Sequence, residues 1–587
     1  MVYASDRSKV QRDGTIQIPE ADSRIEPTTE LVVEQALSDL AAAAQAWVDT
    51  SLDERISLLR RAQSILLDVT PAWGDAGARA KEIRPGTTAF GEDIGNGPAH
   101  LARALRLFKE TLTHLRDTGE PQQTDVQQRP DGTVVVQTFP TTLHDRVLMP
   151  GVRGEAWLRP GVTPDTVKRG KNYRRRAEGH QVEPGVAFVL GAGNVSGLPA
   201  TDALDQLLVH DRVVVLKMNP VNAWAGPFLE RVLAPFIEQD ALRIVYGGVE
   251  VGQLLVHHPD VTHLHMTGSD KTYDAIVWGA GGEGEQRRQA GTPLVDKPFS
   301  AELGNVSPVI VVPGPWSDAD IDAGAKKVAN WLVQNAGFIC ACPRVIVTHA
   351  AWARRGDFLD ALRRHLDRAP DRVPYYPGAR GRWEFFTRAH PEAEAFGDDG
   401  PGCVPWTLIS DLNEAAEHDP ALRVEAFNGT LAEVGIDAPR SVDSFLDHAV
   451  TFCNERLWGT LSANMLVHPR TLKQHPEAVD RAIARLQYGT IAINDWSAMG
   501  ALLMSTSWGA YPGHTARDIQ SGVGQVGNTL LIEDIQKTVL RFPWKTPGPA
   551  LSDYDLTHAR AVMEAWVEAE VKGPAYIPKV LYHLLRP

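Results

Sequence analysis

The feature that most constrains what this chain folds into is a rhythm. Between about residues 183 and 300, short β-rich runs alternate with amphipathic helical ones. The strand-like "GVAFVLGAG" is followed by the helical "ATDALDQLLVH", "RVVVLKMNP" by "AGPFLERVLAPFIEQ", and "LRIVYGG" by "GQLLVHHP", before "VTHLHMTGS". Such alternation makes successive βαβ units around a parallel sheet, an architecture that commonly receives nucleotides at its strand ends. A second alternating set follows: "SPVIVVPG", the helix "DIDAGAKKVANWLVQ", the strand "PRVIVTHA" and the helix "WARRGDFLDALRRHL", ending near "GTIAIND". The class is therefore α/β, and 587 residues exceed what one core serves.

The flanks read differently. Residues 1 to about 30 are polar without period and read as an extended arm. "TTELVVEQALSDLAAAAQAWVDTSLDERISLLRRAQSILLD" then has helical spacing, with Thr28 or Thr29 as a cap and Ser51 to Glu54 as a capping box. From about 130 to 162, extended segments are punctuated by Asp-Gly, Pro and Gly turns and read as a protruding hairpin or small sheet. Residues 367–410 are rich in Pro, Gly and Arg and read as an irregular insertion of the kind that often carries function. "NTLLIEDIQKTVL" reads as a strand, and about 45 residues follow it.

A formal net charge of −14 argues against a nucleic-acid or anionic-membrane surface, because both need clustered Lys and Arg. The basic stretch "VKRGKNYRRRAEGH" is short and reads as a solvated or subunit-facing loop. Four cysteines are too few for a disulfide framework, and no run reaches the ~18 apolar residues of a membrane helix. The N-terminal residues lack the apolar core of a signal peptide, so a cytoplasmic protein is expected.

Two cysteines stand one residue apart in "VQNAGFICACPRVIV". With no further Cys or His pair at zinc spacing, no metal is expected there. The choice then lies between a buried inert thiol and a nucleophile, and company elsewhere in the chain has to decide it.

Asn335-Ala-Gly-Phe-Ile-Cys340 resembles the Asn-x-Gly-Gln-x-Cys nucleophile loop of the aldehyde dehydrogenase superfamily. "AELGNVSPVIVV" resembles that family's Glu-Leu-Gly-Gly-Lys-x-Pro segment, which matches Glu302, 38 residues before Cys340, to its catalytic glutamate. "EPGVAFVLGAGNVSGLP" resembles the turn presenting a catalytic asparagine, here Asn194, and "RVVVLKMNP" the strand ending in a cofactor-binding lysine, here Lys217. "HHPDVTHLHMTGS" resembles the turn that gives Gly268 and Ser269 to the cofactor, and "EAFNG" the segment whose glutamate and aromatic ring, Glu425 and Phe427, hold the nicotinamide side. "NERLWGTLSA" completes seven matches in family order over about residues 183–525.

The resemblance implies a parallel-sheet cofactor domain, an α/β catalytic domain and a small bridging or oligomerisation sheet. Along the chain it implies an arm and helical part over 1–129, a bridging hairpin over 130–162 and a dinucleotide-binding core over 163–300. A catalytic domain over 301–495 carries the 367–410 insertion; 496–541 returns to the cofactor domain and an oligomerisation strand, and 542–587 is an extension outside the resemblance. It further implies a homodimer or homotetramer, a small aldehyde as substrate, and NAD or NADP as cofactor. NAD-selective members often carry a glutamate three residues after the lysine; Pro220 stands there, which leaves the choice open. Thr267-Gly268-Ser269 opening a helix offers a pyrophosphate a positive helix end, whereas Gly191-Ala-Gly193 alone makes no dinucleotide fingerprint.

The chemistry expected of these residues stands on its own. A Cys340 thiolate adds to an aldehyde carbonyl, and the Asn194 amide and Cys340 backbone N–H stabilise the developing oxyanion. After hydride loss, Glu302 activates water against the thioester, if burial brings its pKa near neutral. Cys342 reads as a buried spacer, or as a partner trapping Cys340 in oxidised form. No chemical role falls to Cys403 or Cys453.

Phe338, Gly193, Asn305-Val306 and Gly429 depart from the family pattern. Gly-Phe-Ile-Cys-Ala and "GNVSG" also resemble CoA-dependent acylating members and acyl-CoA reductases, many of which lack the glutamate that Glu302 matches. A catalytically silent binding or scaffold protein on the same fold is the alternative from another class. Trp496, Trp508 and Phe338 lie where a substrate tunnel is expected and point to an apolar or aromatic aldehyde, although core packing accounts for them nearly as well.

Overall fold

The computed structural model describes residues 13–21, 25–400, 402–545 and 549–586. The first alternating set folds as read. Strands Val186–Leu190, Val213–Lys217, Leu242–Val245, Val261–Gly268 and Phe299–Leu303 form a parallel sheet, and Gly522–Val523 adds antiparallel to its edge beside Phe299–Leu303. Val213–Leu216 and Ala187–Val189 are fully buried, as expected of strands covered by helices on both faces.

One cover is the helical lead-in. Helix Glu30–Asp49 packs against Val213–Lys217, and Leu52–Ala80 and His100–Thr118 pack on one another. Ser51 and Glu54 form the capping box, Ser51 Oγ accepting from the Glu54 N–H at 3.2 Å and Glu54 Oε2 from the Ser51 N–H at 3.1 Å. Thr29 takes the N-cap position of the first helix without a side-chain bond.

The second set builds a larger sheet. Its parallel run is Trp406–Leu412, Thr430–Ile436, Pro343–His349, Ser307–Val311, Ser462–Leu466, Thr490–Ile493 and Ile535–Arg541. Arg153–Leu158 then pairs antiparallel with Ile535–Arg541, followed by Val134–Phe139 and Val126–Gln128. The strands expected over 130–162 and 528–541 thus join each other, and Ile535–Arg541 continues them into the catalytic sheet.

Two segments are more ordered than their composition suggests. The 367–410 stretch contains helix Ala379–Ala389, strand Glu394–Phe396 and the start of Trp406–Leu412, so it is a sheet extension and not an irregular excursion. Most of its described Pro and Gly residues lie outside these elements, Gly378 immediately before the helix and Gly397 immediately after the strand Glu394–Phe396. In the 542–587 extension, helices Ala559–Lys572 and Ile577–Leu585 pack as a pair against the lead-in helices of the same chain. The joint is ionic and buried: Glu570 accepts from Arg103 at 3.0 Å and from Arg106 at 2.5 Å, and both arginines also reach Asp145. Burial favours a neutral Asp145, yet the two guanidiniums hold its carboxyl down at about 2. No helix among the described residues is long and apolar enough to cross a membrane.

Candidate active site

The nucleophile loop bends where the sequence places its glycine. Asn335 and Ala336 have φ of 50° and 55°, and Gly337 follows at 81°. A Cβ on Gly337 would stand 2.5 Å from the Asn428 carbonyl carbon, so no other residue fits that turn. The bend brings Cys340, on the far side of the turn, to Glu302 on the strand Phe299–Leu303: Cys340 Sγ donates to Glu302 Oε1 at 3.2 Å.

Glu302 is 4% exposed. Burial pushes its carboxyl up to about 7, against the opposing effect of hydrogen bonds from Trp508 and Cys340. The Trp508 indole N–H donates to Glu302 Oε1 at 2.8 Å, and the Trp496 indole to the Ala341 carbonyl at 2.8 Å. Of the two tryptophans expected in a tunnel wall, Trp508 thus holds Glu302 and Trp496 holds the backbone next to Cys340. Burial, then the adjacent Glu302 carboxylate, raise the Cys340 thiol well above its ordinary value. A neutral thiol beside a carboxyl of near-neutral pKa is an arrangement in which the carboxylate can take the thiol proton.

Asn194 follows the strand Val186–Leu190 and faces the same loop: its Nδ2 donates to the Phe338 carbonyl at 2.9 Å. This bond uses one of its two N–H groups. Its backbone carbonyl accepts from Asn335 Nδ2 at 2.9 Å and from the Tyr375 hydroxyl at 3.1 Å. Asn335 is held in turn by Lys81, which donates to its Oδ1 at 2.8 Å while paired with Asp93 at 2.7 Å, and by Glu92, which accepts its backbone N–H and pairs with Arg372 at 2.7 Å. Arg344 donates to the Gly337 carbonyl at 2.9 Å. Sequence reasoning found none of these supports; Lys81 lies 254 residues from Asn335, and no local pattern marks it.

The departures from the family pattern are spatially linked. Phe338 stacks within a cluster of Tyr375, Tyr376 and Phe427, at ring separations of 5.1, 5.6 and 5.8 Å. A Cβ on Gly193 would meet the Tyr376 hydroxyl at 2.6 Å, and one on Gly429 would meet Trp406 at 2.4 Å. Aromatic rings from the 367–410 region thus occupy the room that larger residues at 193 and 429 would need. Cys342 is buried, its thiol donating to the Trp331 carbonyl at 3.4 Å, which is the arrangement of a spacer.

The expected cofactor residues form a track that residues 13–20 follow from Glu425 past Asp270 towards Lys217. Lys217 ends the strand Val213–Lys217; burial lowers its amine to about 8, with Glu20 opposing. Gly268 ends its own strand exposed, and Ser269 caps the helix Asp270–Val277 by accepting from the Thr272 N–H at 3.2 Å. Glu425 is buried, its carboxyl pushed up by burial to about 8, and its Oε1 has no hydrogen-bond partner. Phe427 lies two residues on, at φ 43°. An ammonium, a capped helix end, an unpartnered carboxylate oxygen and a ring suit the ribose, phosphate and nicotinamide parts of a dinucleotide.

The same track is covered by the chain itself. Gly14–Thr15 pairs in parallel with Val424–Glu425, Thr15 donates from its N–H at 3.0 Å and its hydroxyl at 2.5 Å to Asp270, and Glu20 accepts the Val249 N–H at 3.0 Å. No group of acidic, His or Cys side chains able to hold a metal occurs among the described residues.

Comparison with known proteins gives one direction. Residues 172–370 match the model of the aldehyde dehydrogenase family. A 3,6-anhydro-α-L-galactose dehydrogenase of Streptomyces coelicolor is 32% identical over 179 residues, 30% of this chain and 32% of that protein, so this match spans about a third of the relative. A betaine aldehyde dehydrogenase of Cereibacter sphaeroides is 25% identical over 495 residues, covering 81% of this chain and 83% of its own. Among solved structures, an NAD-dependent aldehyde dehydrogenase from Sinorhizobium meliloti superposes with a TM-score of 0.58 at 16% identity, over 92% of this chain and 96% of that one.

Proposed function

From the premise that this chain is a member of the aldehyde dehydrogenase superfamily, we propose that it oxidises an aldehyde to a carboxylic acid, with NAD or NADP as oxidant and Cys340 as the covalent nucleophile. The observation that carries the reading is the 3.2 Å contact between the Cys340 thiol and Glu302, whose carboxyl titrates at about 7.

Glu302 takes the thiol proton as sulfur adds to the carbonyl carbon. The remaining Asn194 N–H and the Cys340 backbone N–H stabilise the oxyanion; loss of one such donor costs about 3 to 4 kcal/mol in comparable sites. A bound nicotinamide supplies the hydride acceptor. Lys217, Ser269 and Glu425 would hold the cofactor through its ribose and phosphate groups, and Phe427 would pack against its ring. Hydride loss leaves a thioester on Cys340. Glu302, once deprotonated again, removes a proton from water as that water attacks the thioester, and the acid and the free thiol are released. The place of Glu302 beside sulfur supports water over coenzyme A as acyl acceptor.

The test is a panel of short, long-chain and aromatic aldehydes, followed by nicotinamide absorbance with NAD or NADP, with and without coenzyme A. Turnover without coenzyme A that is lost in Glu302→Gln is the expected result. Turnover only with coenzyme A would replace hydrolysis by transfer to a thiol.

A further inference from the structure

We propose that the track from Glu425 to Lys217 is also a binding site for an extended peptide, and that its occupant is the chain's own segment 13–20, which has to leave before a dinucleotide enters. The inference rests on the cofactor assignment above and asks what else that surface recognises.

The segment touches the track at each station. Asp13 pairs with Arg423, next to the strand Val424–Glu425, and Thr15 sits in register with Glu425. Thr15 directs both its donors at Asp270, the first residue of the helix that Ser269 caps, so a carboxylate of the chain already sits at the helix end a phosphate would seek. Ile18 packs on the Phe338, Tyr376 and Phe427 cluster. Pro19 lies against Gly378. Glu20 takes the Val249 N–H at the start of helix Val249–His257 and lies close enough to act on the Lys217 amine.

The contacts are those of strand addition: main-chain pairing gives affinity, and alternate side chains find pockets. Thr15 is 4% exposed, so the start of the segment lies in the cleft, while Gln17, Pro19 and Glu20 stay exposed along its rim. The fit at its start is tight, because Gly14 has φ +125° and a Cβ there would come within 2.2 Å of Asp270 Oδ2. Peptide and dinucleotide would share Glu425, the Ser269–Asp270 helix end and Lys217, so they exclude one another. Dinucleotide affinity is then reduced by the fraction of molecules with the segment in place; an open fraction of about one tenth weakens apparent binding about tenfold.

The test compares the full chain, the chain lacking residues 1–21, and Gly14→Val, which disturbs the segment where it meets Asp270 without replacing any track residue. NAD and NADP are titrated separately by calorimetry, and amide exchange of residues 13–20 is measured with and without saturating dinucleotide. Expected are about tenfold tighter binding in both variants, loss of exchange protection at 13–20 on saturation of the full chain, and competition by a synthetic peptide of residues 13–21. Equal affinities with unmoved protection would overturn the proposal and leave the dehydrogenase reading standing. Weaker binding in the variants would also overturn it, making the segment part of the cofactor's seat. No dinucleotide binding by any of the three would overturn this inference and the cofactor assignment together.

Discussion

The two sides of Cys340 are built in opposite ways. On the side of Asn194 and Asn335, the loop before Cys340 is fastened by side chains from elsewhere in the chain, Lys81, Glu92 and Tyr375, and by Arg344, seven residues beyond Gly337. On the side of Glu425 and Lys217, a carboxyl oxygen has no partner, and the covering element is a short segment held by two residues of strand pairing and by side-chain contacts of Asp13, Thr15 and Glu20. Stabilising a transition state requires donors fixed before reaction, whereas a cofactor that comes and goes requires a surface that can be uncovered.

The comparison breaks most sharply at the nucleophile. Cys340→Ser is expected to lower turnover on the order of a thousandfold or more while the melting temperature stays near that of the parent; turnover within tenfold of the parent would discard the covalent route. Next comes Asn194→Ala, expected to cost about a hundredfold or more in kcat with little change in either KM. On the other side, Glu425→Gln is expected to raise the KM for the dinucleotide roughly tenfold, with a much smaller effect on kcat. Matching kcat losses in Asn194→Ala and Glu425→Gln would show that the two sides do not act separately.

The smallest effect concerns pH. Only ionised Glu302 accepts a proton, and its carboxyl titrates at about 7, so turnover should rise with pH through that value. The Trp508 indole favours the ionised form, so Trp508→Phe is expected to move this limb upward by roughly half a pH unit or more. A pH–rate profile of both proteins checks the shift, and an unmoved limb would remove Trp508 from the positioning of Glu302.

What was legible in the sequence follows from range. Cys340, Glu302 and Asn194 each sit in a local pattern of strand, turn and small residues, and the structure brings all three to one loop. Lys81 and Arg372 carry no such pattern, because Asn335 and Glu92 lie 254 and 280 residues from them and only the fold creates the contacts. Trp508 was visible as an aromatic near the site, but an indole N–H aimed at a carboxylate cannot be told from ring packing by residue type. Gly193 and Gly429 read as losses in sequence; in space they make room for Tyr376 and Trp406. Of the extended arm expected over residues 1–30, residues 13–21 and 25–29 are without helix, and 1–12 and 22–24 lie outside the described residues; a strand of two residues, Gly14–Thr15, carries no period from which pairing is read.

The Glu570 joint has a consequence for how the protein is made. Arg103 and Glu570 are 467 residues apart, and at about 5–20 residues per second a ribosome leaves Arg103 without its partner for roughly 25 to 90 seconds. During that interval Arg103 has Asp145 as its carboxylate partner and Arg106 has Asp145 and the half-exposed Glu110, so the joint lacks one of its two buried carboxylates until the distal helix is made.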